Sequence, residues 1–164
     1  MKQIQLGKKV RVSDPCYGTK VWCAGTIDNV KEGIYNVEVE YSDEGMWGTR
    51  VKSLSVYHSE EDRFCFTDCA DFEVGVDSGQ AGIYDEDYYN EYHDSKDVND
   101  DWYDMICSLT LTKEQFGTLS KCAVSSSGFG DGGYNCYLAT NKVGQVIAIQ
   151  VVFIEEDDSE DDYE

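Results

Sequence analysis

Basic residues, prolines and long apolar runs are all scarce in this sequence. Thirteen lysines and arginines stand against 33 aspartates and glutamates, so the formal net charge is −20. A field of this sign repels phosphates and attracts basic surfaces, which disfavours direct binding to nucleic acid. No apolar run approaches the roughly 20 residues of a membrane helix, and the N-terminal MKQIQLGKKVRV lacks the apolar core of a secretory signal. We therefore expect a cytoplasmic protein that binds no membrane and whose macromolecular partner is basic.

The scarcity of proline bears on domain organisation. Pro15 is the only proline, so no proline-rich linker marks a boundary. The 164 residues, 41% of them apolar, suffice for one domain with its own core. We predict a single globular domain over residues 1–154, near-neutral over 1–63 and acidic over 64–154. The acidic residues 155–164 are predicted to form a disordered tail, because a run of like charges is self-repelling and solvated.

Patterns for metal binding and catalysis are weak. Seven cysteines are an odd number, and without a signal peptide they favour reduced thiols packed as small apolar side chains. Cys65 and Cys69 are spaced C-x3-C, but no second pair of cysteines or histidines completes a zinc site. A Cys-His hydrolase would have to use His58 or His93, and no motif indicates one. We predict no metal, no cofactor and no catalytic residue. A Ca²⁺ or Mg²⁺ site remains an alternative, and its candidate ligands are Asp77, Asp85, Glu86, Asp87 and Asp131.

The pattern of apolar residues predicts a mainly β protein of the α+β class. In the first 57 residues, short runs rich in Val, Ile, Tyr and Trp are separated by turn residues, and IYNVEVEY alternates with period two. We interpret them as an antiparallel meander, partly closed like an SH3-type barrel. Two further strands flank a tight turn at residues 77–79, and a C-terminal hairpin joins residues 134–140 to 145–154.

Helical signals are confined to one part of the chain. Asp97 or Asn99 can cap a short helix that continues through Trp102, Ile106 and Leu109. A second short helical turn is predicted to begin at Thr112, where the sequence T-K-E-Q is typical of a helix N-terminus.

The glycine-rich stretch SSSGFGDGGYNCY matches the spacing G-x-G-x-x-G at Gly128, Gly130 and Gly133. A dinucleotide-binding loop needs a helix after the last glycine, so that its N-terminus faces the pyrophosphate. A β-rich run follows instead, which favours glycines that let the backbone turn into a strand. An anion-binding nest of backbone N–H groups remains an alternative, although Asp131 in its middle opposes it.

Residues 84–104 interleave acids with aromatic residues. One interpretation is a solvated connection whose rings pin it onto the sheet. The other is a protein-binding face on which the rings provide apolar contact and the carboxylates imitate phosphates. The candidate contact residues are Asp85, Glu86, Asp87, Tyr88, Tyr89, Glu91, Tyr92, Asp100, Asp101 and Trp102.

Three stretches together resemble a known family: DPCY at 14–17, FEVGVDSGQAGIYD at 72–85, and SSSGFGDGGYNCYLATNKVGQVIAIQVVFI at 125–154. They are similar to the bacterial and phage domain of unknown function 4241, in which V-D-S/A-G and G-D-G-x-Y recur. The resemblance implies no reaction or ligand. If the family has a polar site, Asp77, Asp85 and Asp131 are its expected members. A ligand-binding site, if present, is predicted to combine these aspartates with Gly128, Gly130 and Gly133.

The function that we expect is non-enzymatic. The charge and the acid-aromatic segment favour a small acidic binding protein that occupies a basic surface through a DNA-mimicking face. The resemblance implies the setting, namely a phage-encoded protein that inhibits a host defence or nucleic-acid-binding protein in the host cytoplasm. One alternative is a protein that sequesters or converts a nucleotide near the glycine-rich segment. Another is a structural or assembly protein.

Overall fold

The computed structural model describes residues 2–20 and 24–155, which form two stacked antiparallel sheets and a layer of two helices. The alternating pattern of IYNVEVEY is realised in the fourth strand, where Tyr35 and Val37 are buried while Glu38 and Glu40 are exposed on the opposite face. The elements are β1 (Gln3–Leu6), β2 (Val10–Ser13), β3 (Gly25–Ile27), β4 (Gly33–Asp43), a 3₁₀ turn (Gly45–Trp47), β5 (Thr49–His58), β6 (Asp68–Val76), β7 (Gln80–Asp85), α1 (Glu86–Tyr92), α2 (Asp100–Thr110), β8 (Phe116–Leu119), β9 (Cys122–Ser126), β10 (Gly132–Thr140) and β11 (Val146–Val152).

The first sheet has the strand order β1-β4-β5-β11-β10-β6, and the second has the order β3-β2-β7-β9-β8. Their facing surfaces enclose the main core, to which the first sheet contributes Leu54, Val56 and Ile149 and the second contributes Val12 and Ile83. All of these side chains are fully buried. Burial of apolar area on this scale is the dominant contribution to folding.

The helices cover the outer face of the second sheet. Tyr84 of β7 and Val124 of β9 point away from the main core and pack against Tyr89 and Trp102, which α1 and α2 supply. The molecule therefore has a second apolar cluster between the helices and the second sheet. Among the described residues, neither helix is long and apolar enough to cross a bilayer.

A connection crosses the outer face of the first sheet. Because β11 and β10 lie between β5 and β6, residues 59–67 must pass over both strands to link them. Phe64 and Phe66 hold this crossing against Tyr57, Ala139 and Ala148. The outer face is thus partly covered, with open space on either side of the crossing.

The mainly β, α+β architecture that the sequence predicts is confirmed, but the SH3-like barrel is wrong. The two sheets do not close, because β2 and β3 join the second sheet whereas β4 and β5 join the first. The strands on either side of the turn at residues 77–79 likewise belong to different sheets. Local alternation identifies a strand, but it does not identify the sheet that the strand joins.

Other expectations have mixed outcomes. The helix capped by Asn99 and the hairpin of β10 and β11 are confirmed. The helical turn at Thr112 is wrong, since its residues form a turn that leads into β8, and α1 was not predicted. Residues 21–23 of a predicted strand and residues 156–164 of the predicted tail lie outside the described residues.

Candidate functional site

A buried carboxylate lies where two of the recognised stretches meet. Asp14 has no exposed surface, and its side chain accepts hydrogen bonds from the backbone N–H of Cys16, Asp77 and Ser78. The Ser78 hydroxyl donates a fourth bond, with 2.7 Å between the oxygens. Four donors can replace the hydration that a buried carboxylate loses. Asp14 therefore fixes the loop after β2 onto the turn between β6 and β7.

The glycine-rich loop is tied to the same turn. The N–H of Ser127 donates to the carbonyl of Gly79 over 3.1 Å. Within the loop, the N–H of Gly130 donates to the Ser127 carbonyl, and the Tyr134 hydroxyl donates to the Gly130 carbonyl. Three stretches that are distant in sequence thus meet at one end of the two sheets.

The glycines of this loop serve the backbone. Gly128 and Gly130 have φ values of 70° and 113°, which side chains rarely tolerate. Gly133 lies inside β10 and pairs with Gly75. As the sequence predicts, a strand follows the last glycine, so no helix N-terminus faces the loop.

The three aspartates that the resemblance singles out do not form one cluster. Gly132 pairs with Val76, so Asp131, directly before β10, and Asp77, directly after β6, flank paired ends of adjacent strands. Asp77 accepts a hydrogen bond from the Tyr17 hydroxyl. Asp85 lies at the opposite end of β7, where its side chain caps α1 through the N–H of Tyr88 and accepts a bond from the N–H of Gly7. The Asp85 carboxylate therefore caps α1 and holds the loop after β1, and it lies apart from Asp77 and Asp131.

The aromatic residues of the acid-aromatic segment form the inside of the helical layer. Tyr88, Tyr89 and Trp102 are buried, and the Trp102 indole donates to the Tyr88 hydroxyl over 3.0 Å. Tyr92 stacks on Trp102 with 5.5 Å between ring centroids. The three buried rings pin the segment onto the sheet, as one of the two sequence interpretations has it. They are not available as exposed apolar contacts for a partner.

The carboxylates of the segment are exposed on the outer side of the layer, except those of Asp85 and Glu86. Glu86 forms an ion pair with Arg11, with 2.7 Å between Nε and Oε1, and both side chains are largely buried. Asp94 is exposed, and hydrogen bonds from the backbone N–H of Asp97 and Lys96 hold its pKa below the ordinary value. We call the exposed carboxylates the helical acidic face; its members are Asp87, Glu91, Asp94, Asp97, Asp100, Asp101 and Asp104.

The histidine beneath this face is already engaged. His93 lies between two backbone carbonyls, with Nδ1 2.8 Å from that of Tyr89 and Nε2 3.0 Å from that of Pro15. Burial lowers the pKa of His93, and burial together with Asp14 raises that of the Cys16 thiol. A neutral thiol is a weak nucleophile.

Metal ligands do not converge in the described part of the chain. There, no group of three or more histidines, cysteines, aspartates or glutamates is arranged to hold an ion. Among the five predicted acids, only Asp77 and Asp131 lie next to paired strand ends away from the helices, and two carboxylates are fewer than such a site needs.

Sequence reasoning did not identify Asp14 as a site residue. A signal was present, because an aspartate followed by proline at the end of a β run marks a turn in which the carboxylate can bond to nearby N–H groups. The donors from Asp77 and Ser78, more than 60 residues away in sequence, could not be predicted locally.

Comparison with known proteins gives one match. Residues 58–151 match the family described as "Protein of unknown function (DUF4241)". This range includes the turn at Asp77 and the whole of the glycine-rich stretch SSSGFGDGGYNCY, but not Asp14. No curated protein and no solved structure matches the chain. Since the matched residues make up more than half of the sequence, the chain belongs to the DUF4241 family.

Proposed function

We propose that this protein is a small, non-enzymatic acidic protein that binds a basic surface of another protein through its helical acidic face. A partner that normally binds nucleic acid has such a surface, and occupying it would inhibit that partner. We extend the proposal to a phage-encoded inhibitor acting on a host protein. The resemblance to a bacterial and phage family supports this setting.

The observation that carries the proposal is the helical acidic face itself. Its seven carboxylates are exposed, and none of them takes part in an ion pair within the described residues. Lys96 is the basic residue of this segment. Carboxylates that repel one another gain favourable energy when a basic surface covers them.

The face is held rigidly, which favours binding. Asp85 and Asn99 cap α1 and α2, and Trp102 anchors the layer from below. A preformed surface loses little conformational entropy on association.

Both histidines of the chain support the non-enzymatic part of the proposal. His93 has its two ring nitrogens against backbone carbonyls. In His58, Nε2 lies 3.0 Å from the Glu32 carbonyl, and Nδ1 is hydrogen-bonded to the N–H of Glu60. A general base needs a ring nitrogen that can reach a reacting group.

The test is capture of partners from a host lysate with three immobilised proteins. One is unmodified, the second carries D87N, E91Q, D101N and D104N, and the third carries D28N, E32Q, D68N and D71N. The third variant loses the same number of exposed carboxylates outside the helical layer. We expect the unmodified protein and the third variant to retain the same basic proteins, and the second to lose them.

A competitor sharpens the result. Short duplex DNA should displace the captured proteins if the carboxylates occupy a phosphate-binding surface. Equal capture by the second and third variants, or no partner for the unmodified protein, would contradict the proposal. Thermal unfolding of each variant shows whether a loss of capture reflects a loss of fold.

A further inference from the structure

The outer face of the first sheet carries a groove that no sequence pattern indicated. It consists of two adjoining cavities, of about 410 and 310 Å³, on either side of Phe66. Glu40, Phe66 and Gln150 line both cavities, so the two form one continuous groove. We call it the outer groove; its further lining residues are Glu38, Lys52, Ser53, Ser55, Tyr57, Glu61, Asp62, Phe64, Tyr137, Val152, Ile154 and Glu155.

The groove exists because the connection over residues 59–67 rises above the sheet. Phe66 packs edge-on against Phe64, with 5.5 Å between ring centroids, and Phe64 packs against Tyr57 at 5.6 Å. On the floor, the Gln150 amide donates to the Ser55 hydroxyl over 3.0 Å. The walls and floor are therefore fixed before any ligand arrives.

The charge of the groove is strongly one-sided. Its rim carries five carboxylates, and Lys52 is its single basic residue. Glu61 is already bound to Lys31, with 2.8 Å between Oε2 and Nζ. Within the described residues, Glu38, Glu40 and Asp62 take part in no ion pair, and all three are exposed.

Negative charge increases towards the end of the chain. Glu155 lies at the rim, where it accepts hydrogen bonds from the Tyr137 hydroxyl and the Asn135 amide. The nine residues after Glu155 include seven acids.

Aromatic rings beside unpaired carboxylates are the chemistry that binds an arginine side chain. The planar guanidinium stacks on a ring while its N–H groups donate to carboxylate oxygens. In the outer groove, Phe66 and Tyr137 with Glu40 flank one cavity, and Tyr57 and Phe66 with Glu38 flank the other. Glu40 accepts a hydrogen bond from the Ser53 hydroxyl, but neither Glu40 nor Glu38 has a cationic partner within the described residues. An apolar ligand would supply no such partner, and an anion would be repelled.

We propose that the outer groove binds an extended, arginine-containing segment of another protein, with one cationic side chain in each cavity. The site lies on the opposite side of the molecule from the helical acidic face, because the two sheets separate them. It therefore goes beyond the proposed function, and a single partner could engage one face without the other.

The experiment uses fluorescein-labelled decapeptides in which arginine alternates with serine, measured by fluorescence anisotropy at about 0.15 M salt. A matched peptide carries citrulline, which has the shape of arginine without its charge, and a third carries lysine. The protein is tested unmodified, as E38Q/E40Q, as F66L, and as D101N/D104N, which removes two charges from the helical acidic face.

We expect the Kd for the arginine peptide to rise about tenfold in E38Q/E40Q, because each charged hydrogen bond contributes to affinity. In F66L, which keeps an apolar side chain but loses the ring, the Kd should rise about two- to fivefold. It should change less than about twofold in D101N/D104N. The lysine peptide should bind more weakly than the arginine peptide, and the citrulline peptide should not bind.

Nuclear magnetic resonance locates the peptide independently of affinity. The side-chain amide of Gln150 and the backbone amides of Glu38 and Glu40 should shift on titration. Equal weakening by the two charge-removing pairs, binding of the citrulline peptide, or shifts confined to α1 and α2 would overturn the proposal. The last result would leave the proposed function of the helical acidic face intact.

Discussion

Asp14 joins the loop after β2 to the turn between β6 and β7. Its carboxylate accepts four hydrogen bonds while having no exposed surface. Asp14→Asn replaces one oxygen by an NH₂ group that faces donors, so at least one N–H or hydroxyl loses its acceptor. We expect the free energy of unfolding to fall by about 2–3 kcal/mol, measured by urea denaturation.

Asp77 provides the matched control for Asp14. It is exposed, and its carboxylate accepts from the Tyr17 hydroxyl at the surface. Asp77→Asn should cost less than about 1 kcal/mol, because water can replace the lost bond. Equal losses in the two variants would contradict the larger contribution assigned to the buried network around Asp14.

His93 makes stability depend on pH. Burial lowers the pKa of His93 from the ordinary value of 6.5, and Arg11 acts in the same direction. Together they outweigh the two backbone carbonyls and the Asp94 carboxylate, which raise this pKa. The unfolded chain therefore binds the proton more readily than the folded protein. The resulting stability is complete above about pH 6.5 and decreases as the pH falls through that value.

The measurement is the free energy of unfolding at pH values between about 7.5 and 5.5. The unmodified protein should lose stability over this window, and His93→Gln should show a flatter profile from a lower starting point. A profile of the same slope in both proteins would assign the effect to other groups.

At the scale of secondary structure, the two helix caps can be compared directly. The Asn99 side chain accepts from the N–H of Trp102, whereas Asp85 accepts from the N–H of both Tyr88 and Gly7. Asn99→Ala should cost about 1 kcal/mol. Asp85→Ala should cost about 2 kcal/mol, because it also releases the loop after β1.

Urea denaturation of the two cap variants tests this order. Helix content at zero urea, measured by circular dichroism, should stay within error of the unmodified protein, since Trp102 still anchors the layer. A larger loss for Asn99→Ala than for Asp85→Ala would contradict the role given to the bond with Gly7.

What the sequence predicts about elements depends on how local their signals are. The cap at Asn99 and the hairpin of β10 and β11 follow from residues close together in the chain, and both are confirmed. The helix α1 was missed because its apolar positions are tyrosines among acids, which resemble a solvated connection. Thr112 resembles a helix cap, but edge pairing with β9 makes the following residues the strand β8.

The site is less predictable than the elements. Acids and aromatic residues of the segment could be listed from the sequence, but the separation into a buried aromatic side and an outer acidic side required the sheet beneath them. The outer groove depends on a crossing over two strands, and no local pattern encodes which strands residues 59–67 cross.

At the scale of the whole molecule, the two acidic surfaces have one thermodynamic consequence. The net charge of −20 makes the folded chain repel itself, because folding brings carboxylates closer together than they are in the expanded chain. Added salt screens this repulsion, since the Debye length falls from about 10 Å at 0.1 M to about 3 Å at 1 M.

We therefore expect the Tm to rise by about 2–6 °C between about 0.02 and 0.5 M NaCl, which corresponds to about 1–2 kcal/mol for a chain of this size. Differential scanning calorimetry measures it, with NaCl rather than a sulfate salt because sulfate also strengthens apolar burial. The variant D87N/E91Q/D101N/D104N should show a smaller rise, since it has fewer carboxylates to screen. A Tm that stays constant or falls with salt would mean that ion pairs such as Arg11–Glu86 outweigh the repulsion between the exposed acids.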